Sequence, residues 1–156
     1  MASVTHIGKL PSWARALLES CHVARLGLLD DGGHPRVLPV TYALAGDQIW
    51  SAIDQKPKRS DTEPARIRFL RRDPRVALTV DRYSDDWDQL AWVQVLGEVE
   101  ILAATEAPDA LEALSVKYPQ YREAPPPGPL LSLTPERCLF WSAGESDESG
   151  GGPESE

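Results

Sequence analysis

Lys56, Lys58 and Arg59 fall within four consecutive residues of the stretch AIDQKPKRSD, residues 52–61, with only Pro57 among them. Cations held this close repel one another and gain nothing from a core, so the cluster makes sense around an anion. A phosphate rewards such clustering most, because each charge-assisted donor is worth ~1.5–3 kcal/mol. Pro57 also limits the backbone freedom that binding would otherwise remove. The competing explanation is a solvated basic turn that aids solubility, but a chain of net charge -8 already has charge enough for that.

The surroundings sharpen the contrast. Residues 56–75 hold eight of the sixteen Lys and Arg against three acids, a local net of +5, which leaves the remainder of the chain at -13. An acidic protein with one basic patch is a poor general nucleic-acid binder, since affinity for a phosphate backbone grows with the number of cations that reach it. A small anionic ligand suits the pattern better. Arg66, Arg68, Arg71 and Arg72 extend the patch, either toward such a ligand or as a solvated helix face.

Conventional catalytic machinery is missing from the sequence. It has no G-x-x-x-x-G-K-[ST] phosphate loop, no G-x-S-x-G elbow and no H-E-x-x-H helix. Cys21 and Cys138 stand far apart, and His6, His22 and His34 are scattered, so no metal site is expected and both thiols read as reduced core residues. Chemistry in such a chain has to be borrowed. Hydride transfer meets that condition, because the reactive atom belongs to a cofactor and the protein supplies binding, orientation and electrostatics.

The elements that must position these residues are legible in outline. A chain of 156 residues, 42% hydrophobic with five Trp, carries material for one core and one domain. PSWARALLES predicts a short amphipathic helix with Trp13, Ala16 and Leu17 on one face. Residues 23–29, 36–44 and 48–53 then read as three strands joined by glycine-bearing turns. A helix over EPARIRFLRR follows, with Ile67 and Leu70 inward. Next come a strand at 75–83 and a long strand at 90–102, where Gly97 marks a bulge.

Thr105 is the expected cap of a helix bearing Leu111, Leu114 and Tyr118. The proline-rich stretch PQYREAPPPGPL reads as an extended surface linker to a sixth strand at 137–143. The expectation is a mainly β fold, a six-stranded antiparallel barrel with flanking helices over residues 1–143. Residues 144–156, with five acids and no large apolar side chain, are expected to be a disordered acidic tail. No secretory leader and no apolar run of ~20 residues is present, so a cytoplasmic protein away from membranes is expected.

This order of elements, with KPKR, RRDPRVALTVDRY, DDWDQLAWVQVLGEVEIL and TPERCLFWSA, resembles the pyridoxamine 5'-phosphate oxidase-like split-barrel flavoproteins over residues 12–143. More closely, it is similar to the actinobacterial branch that uses the 5-deazaflavin coenzyme F420. DPRVAL is shared across the superfamily, whereas KPKR together with DRYSDDWDQLAWVQVLG is characteristic of the deazaflavin branch.

The resemblance assigns Lys56, Lys58 and Arg59 to the cofactor phosphate. It lays Pro39, Val40 and Thr41 against the ring, and Pro39 in mid-strand is explained equally by ligand approach at an edge and by plain barrel distortion. It brings Trp87 from a partner subunit and puts Arg137 near the cofactor. Trp92, in a strongly apolar strand, reads as core. FMN is the alternative cofactor. The FMN oxidases, however, end the second strand in an arginine and an LLK-like stretch, where this chain reads RVLPVTYAL with only Arg36.

A deazaflavin has carbon in place of the ring nitrogen that reacts with oxygen and transfers hydride in two-electron steps. The implied activity is therefore F420-dependent reduction of an electron-poor small molecule by a homodimer with shared sites. A non-catalytic barrel holding a cofactor, haem or another tetrapyrrole stands as the alternative from a different class.

Overall fold

The computed structural model describes residues 1–53 and 63–144. Lys56, Lys58, Arg59 and the acidic tail beyond Gly144 lie outside the described residues.

Among the described residues, eight strands form one antiparallel sheet: β1 (Ala2–Val4), β2 (Ala24–Leu29), β3 (Pro35–Val40), β4 (Ala43–Ala45), β5 (Gln48–Ala52), β6 (Arg75–Arg82), β7 (Ala91–Leu102) and β8 (Leu130–Ser142). Their spatial order is β3-β2-β6-β7-β8-β5-β4, with β1 on the far half of β8. The strand read at 36–44 is broken at Thr41 and Tyr42, so the two ends of the order, β3 and β4, are consecutive in the chain yet unpaired among the described residues. That gap leaves the barrel open. β8 serves both halves, pairing through Leu130–Leu133 with β5 and through Cys138–Phe140 with β1.

The sixth strand is longer than expected, because Leu130, Leu131 and Leu133 find partners in both β5 and β7. The stretch read as linker instead contains α4 (Pro119–Glu123) before β8 begins. β7 alternates strictly between buried Val93, Val95 and Val99 and half-exposed Trp92, Gln94 and Leu96. Its register on β8 shifts between Leu96 and Gly97, the expected bulge.

α1 (Ser12–Ser20) buries Ala14, Leu17 and Leu18, and Trp13 sets its ring edge-on to Phe140 at 6.1 Å. Ala16 points outward rather than into the core, because the helix presents Ala14 and Leu18 in its place. α2 (Ala65–Arg72) buries Ile67 and Leu70 as expected. α3 (Pro108–Lys117) starts on Pro108, so Thr105 is not its cap and sits instead in a 3-10 turn over Ala104–Glu106. A second, smaller core of Trp50, Ala107, Ala110, Leu114, Tyr118, Tyr121 and neighbours binds α3 and α4 to β4 and β5. No described helix is long and apolar enough to cross a membrane.

Candidate cofactor site

β3 is the terminal strand of the order, so one of its backbone edges pairs with no described strand. Pro39 is exposed there, opposite Arg25 of β2, and its missing N–H costs no ladder bond on a free edge. Val40 turns inward and is buried in the main core. Thr41, half-buried, is held from two sides: its carbonyl accepts a hydrogen bond from Ser51 Oγ at 2.7 Å, and its hydroxyl lies 2.7 Å from Tyr121 Oη. Ser51 belongs to β5, which ends at Ala52, and the chain passes from Ile53 toward the KPKR segment. The edge Pro39–Thr41 and the entrance to the basic segment therefore share one end of the barrel.

The other two candidates come from other elements. Trp87 is 70% exposed in the loop between β6 and β7, and Arg137 is exposed on β8 opposite Leu96. Successive pairings give two cross-strand rows on one face, Pro39–Arg25–Thr79–Gln94–Leu139 and Val37–Gly27–Ala77–Leu96–Arg137. Four inter-strand steps thus separate β3 from Arg137. Trp92 lies opposite Trp141 on this same outward face and is half-buried, so it is not the core residue expected. The alternation of β7 assigns the core to Ala91, Val93 and Val95 instead.

Several arginines of the basic region are already engaged. Arg68 pairs with Asp31 at 2.9 Å and Arg71 with Glu63 at 2.8 Å. Arg75 holds Asp73, whose carboxyl is pulled down to about 2 chiefly by the hydrogen bonds from Arg75. Arg36 lies 3.6 Å from Asp30. Arg66 and Arg72 make no ion pair with a described residue and are the helix cations left for an anion.

A tyrosine and lysine cluster behind Thr41 went unread in the sequence. Tyr42 is buried and its hydroxyl donates to the Leu18 carbonyl. Tyr118 and Tyr121 stack edge-on at 5.5 Å, and Lys117 Nζ sits 3.8 Å above the Tyr42 ring. Cys21 is half-buried beside this cluster rather than deep in the core, while Cys138 is buried. The signal was the spacing in KYPQY, where the two tyrosines fall three apart across the junction of α3 and α4. The sequence reading puts Tyr118 on the helix and Tyr121 in the proline-rich linker, which separates the pair.

Lys117 Nζ has no hydrogen-bond partner among the described residues. Burial lowers its pKa to about 8, opposed by the nearby Cys21 and Glu19. The folded state therefore holds this proton less tightly than the unfolded chain, and the contribution of Lys117 to stability rises as pH climbs from about 8 toward 10.5, while Cys138, pushed up to about 11 by burial, contributes with the opposite sign above 9. Lys117→Met is expected to raise stability at pH 7 by about 1 kcal/mol, since the partly exposed side chain screens the remainder, and to flatten that slope. Urea unfolding at pH 7 and pH 10 checks this, and an equal gain at both contradicts it.

The profile of the family described as pyridoxamine 5'-phosphate oxidase matches residues 10–142. The chain belongs to the pyridoxamine 5'-phosphate oxidase family. Solved structures that share the fold include a haem-binding protein from Mycobacterium smegmatis, with TM-score 0.69 and 23% identity, covering 89% of this chain and 57% of that one. An FAD-binding protein from Mesorhizobium loti has TM-score 0.60 and 22% identity over 90% of this chain and 97% of its own. An F420 reductase has TM-score 0.58 and 21% identity over 85% of this chain and 98% of its own. Among curated proteins none matches. The open antiparallel sheet with flanking helices is the pyridoxamine 5'-phosphate oxidase fold, and the family is named for an oxidoreductase.

Proposed function

We propose that this protein is an F420-dependent oxidoreductase, moving hydride between the deazaflavin and an electron-poor small molecule such as an activated alkene, an enone or a quinone-like ring. The observation that carries the reading is the shared location of the unpaired edge Pro39–Thr41 and the entrance to the basic segment, with Arg59 only eight residues beyond Ser51. A planar ring lies along that backbone edge, and Lys56, Lys58 and Arg59 take its phosphate. Likeness to an F420 reductase supports this choice. So does Arg36, the one cation in RVLPVTYAL, which faces Asp30 rather than standing free for an FMN phosphate.

The bound deazaflavin supplies the hydride, and the chain's own residues bind and orient it. Thr41 is fixed by Ser51 and Tyr121, so the edge that meets the ring is set before binding. Reduced F420 mixed with enone and quinone acceptors tests the activity. Oxidation of the cofactor in step with acceptor loss is expected, and tight binding without turnover would favour the non-catalytic barrel.

A two-fold dimer through the outward face of β3, β2, β6, β7 and β8 completes the site, with Trp87 and Arg137 reaching the partner's cofactor. Val37 is 67% exposed on β3, at the margin of this face, so a charge there costs the monomer little. Light scattering should give twice the chain mass for the wild type and mainly monomer for Val37→Glu. A dimer unaffected by that change moves the interface elsewhere.

A further inference from the structure

Continuing the register of β2 on β3 past its last rung, Ala24 opposite Val40, sets His22 opposite Tyr42. That rung is occupied by a side chain. Tyr118 Oη lies 2.7 Å from the His22 carbonyl oxygen, to which it donates, and accepts from the Tyr42 N–H at 3.1 Å. The Tyr42 carbonyl oxygen is also 3.1 Å away. A phenol has one proton and oxygen lone pairs, so a single hydroxyl can bridge the donor of one strand and the acceptor of the other. Directly paired strands bring these groups together without an intermediary, so the interposed oxygen holds the ladder open.

The wedge is firmly seated. Tyr118 is 7% exposed, with the His22 ring edge-on at 5.7 Å and the Tyr121 ring at 5.5 Å. Three residues on, the Tyr121 hydroxyl meets Thr41. The corner between α3 and α4 thus grips residues 41 and 42 through two phenols, at the break between β3 and β4.

We propose that Tyr118 is a positioning residue for the cofactor: its hydroxyl wedges β2 and β3 apart at His22 and Tyr42, and so presents the backbone of Pro39–Thr41 as a fixed edge for the ring. The inference rests on reading that edge as the cofactor's seat. Without the oxygen, Tyr42 N–H either closes onto the His22 carbonyl or loses its partner, and the edge shifts in both cases.

Tyr118→Phe tests this in the full chain, with the dissociation constant for F420 followed by fluorescence and the spectrum of the bound ring by absorbance. The expected result is at least a ~10-fold weaker Kd and a displaced absorption maximum, because a shifted edge changes the hydrogen bonds to the ring. A folded variant with wild-type Kd or wild-type spectrum overturns the wedge and leaves the cofactor reading standing. Wild-type protein that binds neither F420 nor FMN overturns both.

If Tyr118→Phe does not fold, amide exchange on the wild type decides the matter. Saturating F420 should slow exchange of the Tyr42 amide at least ~10-fold, since closing on the ring suppresses local opening. No change there overturns the proposal.

Discussion

Gly97→Ala is expected to destabilise the protein by at least ~3 kcal/mol, at the upper end of what overpacking costs, and to leave little folded material at 37 °C. A Cβ at Gly97 would stand 2.1 Å from the Thr134 carbonyl oxygen and 3.0 Å from its carbon. Those atoms are backbone of β8, so relief requires shifting the longest ladder in the sheet. Leu133, whose Cδ1 would lie 2.9 Å away, packs in the core beneath and also pairs with Ile49 of β5. The same change at Gly27 is the matched control. A Cβ there meets nothing nearer than the Ala77 oxygen at 3.5 Å, an ordinary contact, so near-neutral behaviour is expected. Guanidinium unfolding of both variants checks the pair, and equal stabilities would show that the bulge tolerates a side chain.

Lys58→Ala together with Arg59→Ala carries the second large effect. Each cation contributes a charge-assisted contact of ~1.5–3 kcal/mol to a phosphate, so losing both should weaken F420 binding at least ~10-fold. Stability should hardly change, because clustered cations gain nothing from a core. An unchanged dissociation constant sinks the phosphate assignment. A large fall in melting temperature would instead make the pair structural.

How much of this was legible can be argued residue by residue. The strands at 75–83 and 90–102 and the bulge at Gly97 were readable, because branched residues favour strands and a glycine inside an apolar run marks a bulge. The break at Thr41 and Tyr42 was not, since RVLPVTYAL reads as one strand and its interruption comes from Tyr118 and Tyr121, 76 and 80 residues away. Long-range side-chain intrusion leaves no local signal. The early half of β8 was hidden by proline-rich neighbours, although Leu130, Leu131 and Leu133 are among its best-buried residues. Trp92 misled for a related reason: in an apolar strand its size suggested core, but parity with Gln94 and Leu96 turns it outward.

For the site, Pro39 on a terminal strand was legible, because a proline in mid-strand marks an edge or a bulge, and Thr41 follows the last residue of β3. The spacing of Tyr118 and Tyr121 is visible in the sequence, but the distant groups that they and Lys117 meet emerge only from the fold.

The most direct test of the central claim is titration of the purified full chain with F420, FMN and haem in parallel, following cofactor fluorescence or absorbance to equilibrium. Binding of F420 at least ~10-fold tighter than either of the others is the predicted result. Preferential binding of FMN or haem would contradict it.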